Sequence, residues 1–257
     1  QSAAAAGVQA NVIAEGQTIT ATQGVTANVS LSLVKGSILV NVSDELLRFN
    51  GYALSSVIND IAPERMRFLV NDGVVNGTNS QLNLANNASA LTQIAEVANH
   101  ISYNDVLGMY SKLYDGFPNS AVWLINQSTV PELYGIGYPN RAATTQFPAF
   151  VPGGFDGLLG PKPEGKLLGM PVYRVENVPG LGSHAALILW HPGSCALGEA
   201  GPVADYTNAL YFNLAQDTFR FLYYFGTANR MNTPYTRADG SKASNIVVLS
   251  AGSTSSS

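Results

Sequence analysis

From Gly16 to Val34 this chain carries no ionisable side chain. Within that stretch Val25, Ala27, Val29, Leu31 and Leu33 alternate with Thr26, Asn28, Ser30 and Ser32, a period of two that predicts an extended strand. Ile38, Val40 and Val42 repeat the pattern beyond the turn-like pair Lys35-Gly36. Upstream, Val8 to Ala14 is placed to pair with this strand across Glu15–Gly24. The chain therefore opens on a long neutral β-ribbon. Such a ribbon has exposed edges and aggregates unless another surface covers it. The admissible folds are those that give the ribbon a partner, and neighbouring chains are the first candidates.

After Ser43-Asp44-Glu45 the period changes. Leu54, Val57, Ile58 and Ile61 follow the i, i+3, i+4, i+7 spacing of an amphipathic helix. Met66, Leu69, Val70 and Val74 resume it one step out of phase, with Pro63 between the two sets. Proline removes a backbone donor inside a helix, so a kink is expected here, or two helices with Pro63 opening the second. Asn76-Gly77 makes a natural stop. Leu91, Ile94, Ala95 and Ala98 predict a short helix, and Ser102 to Asp105 a cap before another that carries Val106, Leu107 and Tyr110. Ala121–Ile125 reads as a buried strand, and Thr129–Tyr134 as a short helix. Residues 138–167, rich in Pro and Gly, read as a long loop. Strands are expected at Met170–Val175, Ala185–Trp190, Ala209–Leu214, Phe219–Phe225 and Ile246–Leu249, the last preceded by a turn at Asp239-Gly240.

Composition narrows the function. The 257 residues hold 13 Lys+Arg and 17 Asp+Glu, or 12% charged, against roughly 25% in an ordinary domain. Neutral polar residues replace the missing charge: 22 Asn, 22 Ser and 15 Thr. A net charge of −4 argues against a sequence-reading nucleic-acid binder. Normal hydrophobicity argues against a disordered, charged chain. The longest apolar run, Ala185 to Trp190, is a strand-length piece, short of the roughly 18 residues that cross a bilayer. A lone Cys195 allows no internal disulfide and reads as a small core hydrophobe, in keeping with a reducing cytoplasm.

Chemical motifs are sparse. His100, His184 and His191 have no metal-ligand neighbour at i+3 or i+4, and no Cys-x-x-Cys exists. Ser194 lies close to His191, the one hint of a hydrolase, but no nucleophile-elbow motif surrounds it. A strand exit with turn residues explains the segment better. No phosphate-binding Gly-rich loop appears. The five N-x-[ST] triplets at Asn28, Asn41, Asn76, Asn87 and Asn126 are close to what this composition gives by chance. No catalytic residue, cofactor or metal ligand is expected.

The order of features nevertheless resembles a known family. Ala14-Glu15-Gly16, a neutral strand, Val40-Asn41-Val42-Ser43-Asp44-Glu45-Leu46-Leu47 and a long helix ending at Asn76-Gly77 resemble the major capsid protein of tailed bacteriophages. Ala121–Asn126 is similar to that family's buried strand, and Leu167-Leu168-Gly169-Met170-Pro171-Val172 to its Leu-x-Gly-x-Pro-Val. The resemblance spans about residues 8 to 250.

It implies an α+β fold of the Hong Kong 97 type. Residues 1–43 would be an N-terminal segment and extended hairpin loop lying over an adjacent subunit, and 44–83 the spine helix of a peripheral domain. Residues 84–204 would form the axial domain, and 205–257 the strands returning to the peripheral domain with a tail. By resemblance, Glu15, Gly16, Val29, Leu31, Lys35, Arg65 and Arg67 would lie at subunit interfaces. The implied partners are hexamers and pentamers of the chain itself, packaged double-stranded DNA held without sequence readout, a portal, and a scaffold or maturation protease. No membrane is involved. The implied place is the virion, after assembly in the bacterial cytoplasm.

Two departures stand out. Some relatives weld subunits through a Lys at the hairpin tip and a later Glu. Gln17–Thr22 contains no Lys and no Glu follows Glu199, so no covalent cross-link is expected. Few residues precede the hairpin, and with Gln1 at the start, upstream residues are expected to have been removed or omitted. Two alternatives stay open. One is an encapsulin-type compartment of the same fold; the other, of a different class, is a secreted β-rich hydrolase or adhesin.

Overall fold

Ser43 ends a strand and starts a helix. Its backbone is extended (φ −69°, ψ 142°), and its hydroxyl accepts from the Leu46 amide at 3.4 Å. Asp44 and Glu45 place negative charge against the positive end of the helix dipole. At the other end Gly77 adopts φ 75°, left-handed, and its amide reaches the Gly73 carbonyl.

The computed structural model describes residues 31–77, 82–114, 121–138, 147–152 and 164–251. Its elements run β1 (Val34–Ser43), α1 (Asp44–Asn76), β2 (Leu91–Ile94), α2 (Tyr103–Ser111), β3 (Val122–Ile125), α3 (Val130–Gly135), β4 (Gly137–Tyr138) and β5 (Phe147–Pro148). There follow β6 (Phe150–Pro152), β7 (Gly165–Leu167), β8 (Met170–Arg174), β9 (Leu187–Trp190), β10 (Cys195–Tyr211), β11 (Gln216–Asn229), β12 (Tyr235–Thr236), β13 (Lys242–Ala243) and β14 (Ile246–Ser250). The chain divides into two compact units, one from Ser30–Asn83 and Ala196–Ala228, the other holding Leu84–Cys195 and Asn229–Ser257.

In the first unit β1, β11 and β10 form a sheet in that order, with β1 antiparallel to β11 from Val34↔Phe225 to Ser43↔Gln216. Lys35-Gly36 is not a turn; both residues lie inside β1. Gly36 is buried because α1 lies over it: a Cβ there would stand 3.0 Å from Leu69 Cδ2. The helix runs unbroken through Pro63, so the two-helix expectation fails. The phase slip around Pro63 marks two faces of one helix. Ala62 and Met66 are buried, whereas Val57 and Ile61 are each 48% exposed. A 33-residue helix is about 50 Å long.

The second unit is built on a seven-stranded sheet in the order β2-β14-β9-β3-β8-β7-β6. Ile246–Leu249 and Leu187–Leu189 are buried at every position, the mark of strands covered on both faces. Val106 and Met109 of α2 join the same core as Trp123, whose indole Nε1 donates to the Leu167 carbonyl at 3.0 Å. α2 opens on the capping box expected at Ser102, with Asp105 returning the bond. Leu168 and Gly169, at φ 49° and 80°, make the two-residue turn joining β7 to β8.

Several expectations are corrected. Leu91–Ile94 is a strand, not a helix, because it pairs in parallel with β14 from Leu91↔Val247 to Ile94↔Ser250. The described part of 138–167 contributes strands β5, β6 and β7 rather than loop alone. β10 begins at Cys195, well before Ala209. The final strand joins the seven-stranded sheet instead of returning to the unit of α1, since its buried apolar run requires cover on both faces. The expected strands at Val8–Ala14 and Val25–Ser30 lie outside the described residues.

Candidate functional site

Two surfaces of the first unit leave apolar side chains exposed among the described residues. The first is the outer side of α1. Leu46, Val57, Ile61 and Phe68 fall on one stripe at helical spacing, roughly opposite the buried Ala62, Met66 and Gly73. The second is β10, the outer strand of its sheet. Every residue from Glu199 to Leu210 is exposed, and Leu197 and Tyr206 are 64% and 57% exposed. A long strand open on both faces and one edge is a template for association unless guarded. Pro202 is one guard, since it offers no amide.

The acids of β10 are engaged within the unit. Asp205 accepts from Arg220 Nε at 3.2 Å, Glu199 accepts from the Tyr223 hydroxyl, and Asp217 of β11 accepts from Tyr206 at 2.7 Å. These bonds leave the outer edge nearly neutral. The bond to Asp217, then burial, raises the Tyr206 phenol above its ordinary value, and Glu199 does the same for Tyr223. A raised folded-state value means that this support is complete below the unfolded tyrosine value, about pH 10, and is lost as pH rises through the folded value. Alkaline titration is expected to loosen the β10–β11 hairpin before the seven-stranded sheet. Hydrogen exchange against pH checks it, and the double variant Tyr206→Phe, Tyr223→Phe should lose the dependence.

Between α1 and the sheet runs an apolar groove of about 300 Å³, lined by Met66, Val70, Pro202, Phe221 and Tyr223 with Arg67 at its side. Of the interface residues expected from sequence, Glu15, Gly16 and Val29 lie outside the described residues. Leu31 is partly exposed ahead of β1 and lies over Gly198. Lys35 stands opposite Tyr224 on the face of β1 away from α1, and Arg65 is exposed on α1. Only Arg67 meets the groove. Sequence reasoning missed the β10 residues Leu197, Val203 and Tyr206, because Gly198, Gly201 and Pro202 hide the strand signal, while Leu210 falls in the strand expected at Ala209–Leu214. The run after Pro202, with Val203, Tyr206 and Leu210 and a single charge at Asp205, was the signal available.

The hydrolase hint dissolves in the geometry. Ser194 Oγ donates to the backbone carbonyl of His191 at 2.6 Å and accepts from Asn245 Nδ2 at 2.6 Å, so the hydroxyl is committed elsewhere than to the imidazole. Cys195 is half-buried rather than a core residue, 3.3 Å from the Trp190 indole nitrogen. Burial pushes its thiol up, opposed by hydrogen bonds with Trp190 and Ser194, so it stays a neutral thiol and a poor nucleophile. Among the described residues no three His, Cys, Asp or Glu side chains are grouped as metal ligands, and no helix is long and apolar enough to cross a membrane.

No curated protein sequence matches the chain. Among solved structures it is similar to the capsid of an empty GTA particle, at 11% identity and TM-score 0.71 over 95% of this chain and 81% of that one. It is similar to a chain from Mycobacterium phage Adephagia at 13% identity and TM-score 0.66, over 96% and 82%. A chain from Gordonia phage Cozz gives 11% and 0.65, over 96% and 78%. Identities this low establish the shared fold. The family model described as the phage capsid family matches residues 2–224, most of the 257, and does not favour the encapsulin alternative. On that match the chain belongs to the phage capsid family.

Proposed function

We propose that this chain is the major capsid protein of a tailed double-stranded DNA bacteriophage, assembling with itself into an icosahedral head of hexamers and pentamers. The family places it in the virion and makes self-assembly its working activity. In this reading α1 is the spine helix of a peripheral domain, the seven-stranded unit is the axial domain, and the neutral N-terminal ribbon is an extended hairpin lying on a neighbour. Glu15, Gly16, Val29, Leu31, Lys35, Arg65 and Arg67 are the proposed interface residues. DNA would be enclosed without sequence readout, since a chain of net charge −4 neutralises few phosphates. Portal and scaffold or maturation protease would complete the particle, assembled in the host cytoplasm.

The observation that carries the reading is a family match running almost from end to end, on a chain whose long helix is apolar on two faces. Among the described residues nothing covers the outer apolar stripe of Leu46, Val57, Ile61 and Phe68, and an exposed apolar stripe of this kind suits contact with another chain. Each contact in a closed shell can be weak, because many act together.

Electron microscopy of the purified chain tests it. Closed shells are expected; monomers under every assembly condition, including with any precursor segment, would overturn it. Denaturing gels of those particles are expected to run as single chains, with stable oligomers contradicting the absence of cross-links.

A further inference from the structure

Among the described residues, the chain passes between its two units at 83/84, 195/196 and 228/229. Within the seven-stranded unit, a residue near each passage belongs to one polar cluster, buried at Ser89, Ser194 and Asn245 and half-buried at Asn87 and Asn229. Asn87 and Ser89 follow the first passage, Ser194 precedes the second, and Asn229 opens the third. Asn245, 1% exposed at the start of β14, is the hub. Its Nδ2 donates to Ser194 Oγ at 2.6 Å and to Asn229 Oδ1 at 2.7 Å, while its Oδ1 lies 3.3 Å from the Ser89 hydroxyl. Asn229 Nδ2 in turn donates to Ser89 Oγ at 2.7 Å and Asn87 Oδ1 at 3.1 Å. Ser244 Oγ donates to the Ser89 carbonyl, and the Arg230 amide to the Ser194 carbonyl.

Apolar packing at this place would tolerate sliding, because dispersion contacts have little direction. A satisfied network of short amide and hydroxyl bonds does not, and it defines one arrangement. We propose that the Asn245 cluster is a clamp that holds the three passages together at the rim of the seven-stranded unit. Any change of angle between the units is then taken up beyond the clamp, and that unit stays rigid in every copy. The part about copies rests on the capsid reading; the clamp itself does not.

Hydrogen exchange of the full chain in solution tests the clamp. Asn245→Leu keeps the branched side-chain skeleton and removes the polar atoms of the hub. Exchange at 86–90, 191–196 and 229–231 is expected to rise together by about ten-fold, the scale of one unsatisfied buried polar group, with β3 and β8 unchanged. A rise confined to 245–250, or equal everywhere, would overturn the proposal. If Asn245→Leu does not fold, Ser194→Ala serves: exchange should rise at 86–90, linked to Ser194 through Asn245, and a change limited to 191–196 overturns the clamp. Electron microscopy is the second arm. Variant shells of mixed diameter are expected, and regular shells from a variant with disturbed exchange refute the assembly role. Failure of the native chain to form shells would count against the capsid reading and leave the exchange result standing.

Discussion

Ile61→Glu is expected to leave the chain folded and to abolish closed shells. Ile61 is already half exposed on the outer stripe of α1, so the substitution should change the stability of the free chain by no more than about 0.5 kcal/mol. In an assembly that covers this stripe, the carboxylate would be buried without a partner, at a cost of about 3 kcal/mol or more per contact. Each subunit repeats that cost, and a shell of weak contacts does not survive it. Sedimentation and electron microscopy read the assembly, and circular dichroism reads the fold. Normal shells from Ile61→Glu would show that this face of α1 meets solvent in the particle, and the interface would have to be sought along β10.

Trp123→Ala is expected to unfold the seven-stranded unit at moderate temperature. The side chain is fully buried on β3, between β9 and β8 in the sheet. Truncating a buried Trp costs about 3–5 kcal/mol, and the Leu167 carbonyl loses the bond from the indole. Against a total stability of about 5–15 kcal/mol, that is enough to deplete soluble protein. Trp123→Phe separates the two contributions, because it keeps most of the packing and loses only the hydrogen bond, worth about 1 kcal/mol. Thermal denaturation measures both. A Trp123→Ala chain melting within a degree or two of the native one would place the core elsewhere.

The elements legible in sequence were those with local chemistry. Ser43 and Gly77 bracket α1, Ser102 and Asp105 open α2, and Asp239-Gly240 turns before β13 with the Ser241 amide bonded to Asp239 at 2.8 Å. Each is decided within four residues by a cap or a left-handed glycine. Long apolar runs such as Ile246–Leu249 were legible too, because burial on both faces leaves no alternation.

What escaped has one cause. Leu91–Ile94 mimics a helical repeat, yet its state is set by Val247–Ser250, far along the chain. β10 contains two glycines and a proline early in its length, and its extended form comes from the β11 partner. The out-of-phase stripes around Pro63 looked like a break until the helix was seen to be one piece.

By itself, the sequence determined the ends of the long helix and the scarcity of charge, because caps and charge are properties of neighbouring residues; the class of the fold came from the resemblance in the order of its features. Only the tertiary structure decided which apolar residues are core and which stay exposed. Val57 and Met66 are equally apolar, and what separates them is whether β1 and β11 lie over them, a fact of long-range pairing that no local pattern carries.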